Sequence, residues 1–130
     1  PRKAAPKPRK LEPVTLALLE SPEGFLLQQR PEKGLLAGLW QPVLWENESL
    51  SAEETLARLQ AMGLDLRGTR PEALPAAKHI FSHIEWHMGG IALQVPAQAA
   101  PAGCVWASRE ALKTTYTLPG AFKAYRKRML

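Results

Sequence analysis

The sequence predicts one domain of mixed α/β (α+β) class, a mixed β-sheet flanked by helices. Three observations predict it. The chain has 130 residues, 45% apolar and 22% charged, which suits one globular core. Short β-branched runs lie both before and after a well-capped helical segment. The order strands, helix, strands, final helix then selects a mixed class over an all-β or all-α one.

Residues 1–13 hold four prolines and five basic residues and are expected to form an extended linker arm, with the folded domain at 14–130. Val14 to Leu19 reads as a first strand. Ser21-Pro22-Glu23-Gly24 has turn chemistry, and Phe25 to Arg30 reads as a second strand, giving a hairpin with a four-residue connection. Gly34 to Pro42 (GLLAGLWQP) is an apolar loop whose leucines and Trp40 are expected to fold back onto the core. Val43 to Trp45 reads as a short strand.

Ser51 and Glu54 form a capping box, Leu56, Leu59 and Met62 an apolar stripe, and Gly63 a C-terminal cap, so a helix is predicted at 52–62. Residues 64–77 read as loop. From His79 to Val95 the apolar positions alternate, but their parity changes at Gly89-Gly90. A Gly-Gly hairpin or a bulge in one long strand would each explain the change. Gly103 to Ala107 is a further strand. Ser108 caps a helical turn over 109–113, and a last helix starts at Thr117-Leu118-Pro119.

The net charge of +5 is concentrated at the ends. Residues 1–10 carry Arg2, Lys3, Lys7, Arg9 and Lys10. Residues 121–130 carry Lys123, Arg126, Lys127 and Arg128, and residues 11–120 hold 8 basic against 12 acidic residues. Basic ends attract polyanions but also serve as solvated linkers, and charge alone does not define a nucleic-acid-binding protein. No apolar run approaches the roughly 20 residues of a membrane span, and PRKAAPKPRK is not a secretory leader. The single cysteine, Cys104, excludes an intrachain disulfide and an all-cysteine metal site and is expected in the core.

Candidate chemistry is sparse. His79, His83 and His87 recur every four residues, but on one strand they would share a face and lie too far apart for one ion, so no metal site is expected. Ser82 beside His83 is not a triad, and the chain has no G-x-S-x-G elbow, P-loop or dinucleotide fingerprint.

The order hairpin, GLLAGLW loop, capped helix ending in Gly63-Leu64, then strand, resembles the Nudix (MutT-like) fold. Active members carry G-x5-E-x7-R-E-U-x-E-E-x-G-U, with U a bulky aliphatic residue and the glutamates holding divalent cations. Aligned on Gly63-Leu64, Leu56-Ala57 replace Arg-Glu, and Gln60-Ala61 replace the paired glutamates. Gln and Ala do not hold Mg²⁺ as carboxylates do. Pyrophosphohydrolase activity is therefore not expected, unless displaced ligands supply the metal site.

A narrower match covers about residues 14–128. Lys78-His79-Ile80-Phe81-Ser82-His83, GLLAGLW, WASREAL (106–112) and LPGAFKAYRK (118–127) resemble the C-terminal domain of the MutY family of A/G-specific adenine DNA glycosylases. Gln41-Pro42-Val43 departs from the family's usual run after GLW. The resemblance implies a domain that recognises 8-oxoguanine opposite adenine in double-stranded DNA during base excision repair. A separate N-terminal helical domain, with a 4Fe-4S cluster, would excise the adenine. This chain alone is then expected to have no catalytic residue, no cofactor and no glycosylase activity. A monomer is expected, in a cytoplasmic, DNA-associated bacterial protein.

By the same resemblance Phe81, Ser82 and His83 bind the lesion and Lys78 contacts phosphate. Oxidation of guanine at C8 turns the N7 acceptor into an N–H donor and adds a carbonyl oxygen. A Ser hydroxyl can accept from the first or donate to the second. Phe81 would brace the segment or pack by the base, and His83 would hydrogen-bond backbone or phosphate. A protein-interaction module docking through residues 34–45 is the remaining alternative.

Overall fold

The computed structural model describes residues 8–130, so Arg2, Lys3 and Lys7 of the basic arm lie outside the described residues. Among the described residues seven strands build one sheet. They are β1 (Lys10–Ser21), β2 (Gly24–Gln29), β3 (Trp40–Glu46), β4 (Glu72–Ala73), β5 (Ala77–Ile80), β6 (Ile84–Gln94) and β7 (Cys104–Ala107). Their order is β4-β6-β1-β3-β2-β7, with β5 also paired to β6.

β1 and β6 form the spine. They run parallel in unbroken register from Lys10↔Ile84 to Glu20↔Gln94. β1 begins at Lys10, so residues 10–13 belong to the sheet and not to the linker arm. Pro13 fits because β3 reaches only as far as Val14↔Glu46, which leaves one flank of Pro13 without a neighbouring strand. The first hairpin is tighter than expected: Ser21 pairs with Gly24, leaving Pro22-Glu23 as a two-residue turn. The Glu23 N–H donates to Ser21 Oγ at 3.1 Å. Past the turn β2 leaves β1 and pairs with β3 and β7.

The sheet is covered on both faces. Val14, Leu16 and Leu18 point to one face with Trp86 and Met88, where Leu112, Phe122, Tyr125 and Met129 complete the cluster. Ala17 and Leu19 point to the other with Ile91, Leu93, Leu26 and Val43, under Leu59 of α1 (Ala52–Ala61). Helix α2 (Arg109–Thr114), a 3-10 segment (Gly120–Tyr125) and α3 (Arg126–Met129) supply the first cover. The expected last helix is thus mostly a 3-10 segment.

This layering resolves the Gly89-Gly90 parity change, and neither expected explanation applies. β6 itself neither turns nor bulges there against β1. β6 buries Trp86 and Met88 on one face in its first half and Ile91 and Leu93 on the other in its second. The buried parity changes while the register with β1 does not; on the other edge of β6, Ala73↔Ile91 and Ala77↔Met88 set an extra residue between β4 and β5, not in β6. Gly90 has φ 143°, and a Cβ there would lie 1.9 Å from the Leu16 carbonyl oxygen on β1.

Helix α1 carries the expected capping box, with the Glu54 N–H donating to Ser51 Oγ and the Ser51 N–H to Glu54 Oε1. Leu59 is fully buried, while Leu56 and Met62 are half-buried. Thr55, outside the expected stripe, is fully buried and donates its hydroxyl to the Ser51 carbonyl. In the apolar loop Leu35, Leu36 and Trp40 pack on the core, and Trp40 meets Tyr116 edge to face. Leu39 alone of that loop's large residues stays 44% exposed. Cys104 is half-buried, and burial pushes its thiol pKa up.

Candidate nucleic-acid interface

β5 and β6 are antiparallel, ending at Ile80↔Glu85, and residues 81–83 join them. The Phe81 N–H donates to the Ile84 carbonyl at 2.7 Å, which closes a tight turn with Ser82 and His83 at its tip. Both tip residues are exposed. Phe81 is half-buried. Its ring meets His79 edge to face at 4.7 Å between centroids and Trp86 at 5.1 Å. Trp86 is fully buried and meets Phe122 on the helical cover at 6.1 Å. Phe81 therefore braces the turn against the core, while the Ser82 and His83 side chains stay free to meet a ligand.

The turn is also held from the other side. The Lys10 N–H donates to the His83 carbonyl at 3.0 Å. Arg9 Nε lies 3.4 Å from Glu85 Oε1, and His87 Nε2 lies 2.6 Å from Glu85 Oε2. The His87 hydrogen bond, supported by Arg9, holds the Glu85 carboxyl below the usual glutamate range.

Lys78 pairs in register with His87, and His79 with Trp86. Paired residues share a face, so exposed Lys78 lies across the sheet from the Phe81 ring, beside His87 and Glu85. The three histidines do not share a face as expected on one strand, because a turn intervenes. His79 and His87 point to opposite faces, with His83 at the tip. Among the described residues no group of three His, Cys, Asp or Glu side chains converges on a metal position.

Sequence reasoning overlooked two polar groups. Counting back from Gly63-Leu64, Glu48 falls where the Nudix pattern has its first glutamate. Its carboxylate receives both Arg58 Nη atoms, at 2.7 and 2.9 Å, and that pairing holds it below the usual range. Thr15 Oγ1 donates to the Glu48 carbonyl at 2.7 Å. Glu54 serves the helix cap, Glu48 is held by Arg58, and Gln60 and Ala61 present no carboxylate. The other group is Arg30, which is 9% exposed. It donates to the Leu35 carbonyl and to Gln41 Oε1, lies 2.7 Å from Glu46 and sits 5.4 Å over the Trp86 ring. The departure at Gln41 was the one sequence signal of this network.

No helix among the described residues is long and apolar enough to cross a membrane.

A mixed sheet between helical layers, with a capped helix after an apolar glycine loop, defines the class. The chain belongs to the NUDIX domain family, whose model matches residues 14–128. Within it, the chain is homologous to the C-terminal part of adenine DNA glycosylases. The Homo sapiens adenine DNA glycosylase is 36% identical over 137 residues, covering 97% of this chain, and the Mus musculus enzyme is 36% identical over 121 residues, covering 85%. The chain spans about a quarter of the length of these relatives, 25% and 24%. Among solved structures, the C-terminal domain of mouse MUTYH in complex with human PCNA matches with TM-score 0.67 and 30% identity, over 91% of this chain and 86% of that one. The MutT protein from Methanosarcina mazei Go1 shares the fold, with TM-score 0.65, 20% identity, and 93% and 94% coverage.

Proposed function

We propose that this chain is the lesion-recognition module of an adenine DNA glycosylase and reads 8-oxoguanine opposite adenine through the turn at Phe81-Ser82-His83. The observation that carries the reading is the placement of Ser82. Its hydroxyl stands at the exposed tip of a turn that Phe81 and Lys10 fix from opposite sides. A hydroxyl on a rigid support can accept from the lesion's N7–H or donate to its C8 oxygen, and neither feature exists in guanine. His83 extends the polar tip toward backbone or phosphate. Lys78, on the face opposite the Phe81 ring, supplies a phosphate contact.

Adenine excision belongs, in this reading, to a catalytic domain outside this chain. A single cysteine cannot hold a four-cysteine iron–sulfur cluster, so a cluster does not fit the residues present. The module's partners are that catalytic domain and duplex DNA carrying the lesion.

The test is a chemical-shift titration with a duplex carrying 8-oxoguanine opposite adenine, against the same duplex with guanine. Lesion-dependent shifts are expected at residues 78–84. Ser82→Ala should cut the preference for the lesion by about 1–2 kcal/mol, roughly tenfold. Unchanged preference in that variant would remove Ser82 from lesion reading.

A further inference from the structure

Between residues 95 and 130 the sequence holds six basic residues and a single acidic one, Glu110. Two of the six are neutralised by the sheet: Arg109 lies 3.1 Å from Glu20 and Arg128 lies 2.9 Å from Glu72. Lys113, Lys123, Arg126 and Lys127 are exposed and form no ion pair among the described residues.

These four are gathered, not scattered. Arg126 and Lys127 follow Lys123 by three and four residues across the 3-10 segment and α3, so both lie within one helical turn of Lys123. Lys113 and Arg126 both line a groove of 250 Å³ between α2 and α3, with Leu112, Thr117 and Leu118. Like charges at this spacing repel. The dipole of a four-residue helix offsets little of that repulsion.

The patch is rigidly tied to the Ser82 turn. Phe122, next to Lys123 in the chain, meets the Trp86 ring that also braces Phe81. The Tyr125 hydroxyl donates to the Pro75 carbonyl at 2.9 Å, just before β5.

We infer that Lys113, Lys123, Arg126 and Lys127 form a second DNA contact, which grips the phosphodiester backbone of the duplex whose lesion faces Ser82. The inference rests on the DNA reading above and adds a surface to it. The occupant is a polyanion with closely spaced charges, because the row of cations runs along the helix and the groove is smaller than a pocket for a drug-sized ligand. Such contacts position the protein and carry no sequence information.

The test uses this chain, the two duplexes above and polyglutamate as a second polyanion, across a salt series. The variant K123Q/R126Q/K127Q alters exposed positions only, and circular dichroism checks its fold. Its log Kd against log salt should be shallower by about 0.9 for each phosphate that the variant no longer neutralises. Affinity should fall equally for both duplexes, with lesion preference intact. Ser82→Ala should do the reverse, losing preference and keeping the slope. Lys113→Gln, in the groove, should reduce the slope separately. An unchanged slope in the triple variant overturns the inference, as does a parent chain with no salt-dependent duplex binding. Loss of polyglutamate binding with duplex binding kept would assign the patch to an acidic protein surface instead. A slope that falls while the parent chain shows no lesion preference keeps the patch and removes the Ser82 reading.

Discussion

The backbone N–H of Lys10 and the carbonyl of His83 are joined at 3.0 Å, so the first residue of the sheet holds the tip of the turn between β5 and β6. Lys10→Pro removes that donor and restricts Arg9 as well. The expected cost is about 1–2 kcal/mol in urea unfolding, with faster amide exchange across residues 81–84. Exchange rates equal to those of the parent chain would show that the bond does not hold the turn.

Gly89 and Gly90 should respond very differently to alanine. At Gly89 an added Cβ meets nothing within 4 Å. At Gly90 it would strike the Leu16 backbone at 1.9 Å, in a backbone conformation that disfavours side chains. Gly90→Ala should cost about 3 kcal/mol or more and separate β1 from β6, and Gly89→Ala about 1 kcal/mol or less. Thermal unfolding of the two variants side by side decides the matter.

Arg30 ties the end of β2 to the apolar loop and to β3. Arg30→Ala leaves Gln41 and Glu46 without their partner and strips one face of Trp86. A loss of about 3 kcal/mol is expected. Arg30→Lys should recover only part of it, because an ammonium cannot serve Leu35, Gln41 and Glu46 in one planar fork. Equal stability of the lysine variant and the parent would contradict this account.

Acid should weaken the fold in a definite window. Arg58 holds Glu48, the Ser51 N–H holds Glu54, Arg67 holds Asp65, Arg128 holds Glu72 and His87 holds Glu85 below their usual carboxylate ranges. A group with a lowered folded pKa stabilises above its unfolded pKa and loses that contribution as pH falls through the folded one. The urea midpoint should therefore decline below about pH 5. Glu48→Gln should lower the midpoint at pH 7 and flatten the decline.

Legibility in the sequence followed how local each cause was. The capped helix after Ser51 and the hairpin around Pro22 were readable because neighbours in the chain determine them. The start of β1 was hidden because its partner, β6, lies far along the chain, and a Pro/Lys-rich composition resembles a linker. The Gly89-Gly90 parity was misread because alternation shows which residues are buried and not which layer buries them. Of the turn between β5 and β6, Ser82 as a candidate was accessible only through family resemblance. The Lys10 and Phe81 supports had no local signature, since both act across the sheet.

The parallel pairing of β1 with β6 also constrains how the domain forms. Each of its two longest strands must find the other across most of the chain, and the loop-closure entropy comes before any reward in contacts. Folding should be slow for so small a domain, with the spine among its last features. In a nascent chain Val14 to Ala17 can pair with β3 early, but the other edge of β1 has no partner until β6 has been made. The prolines and cations of residues 1–13 should then help keep that open edge dispersed until β6 arrives.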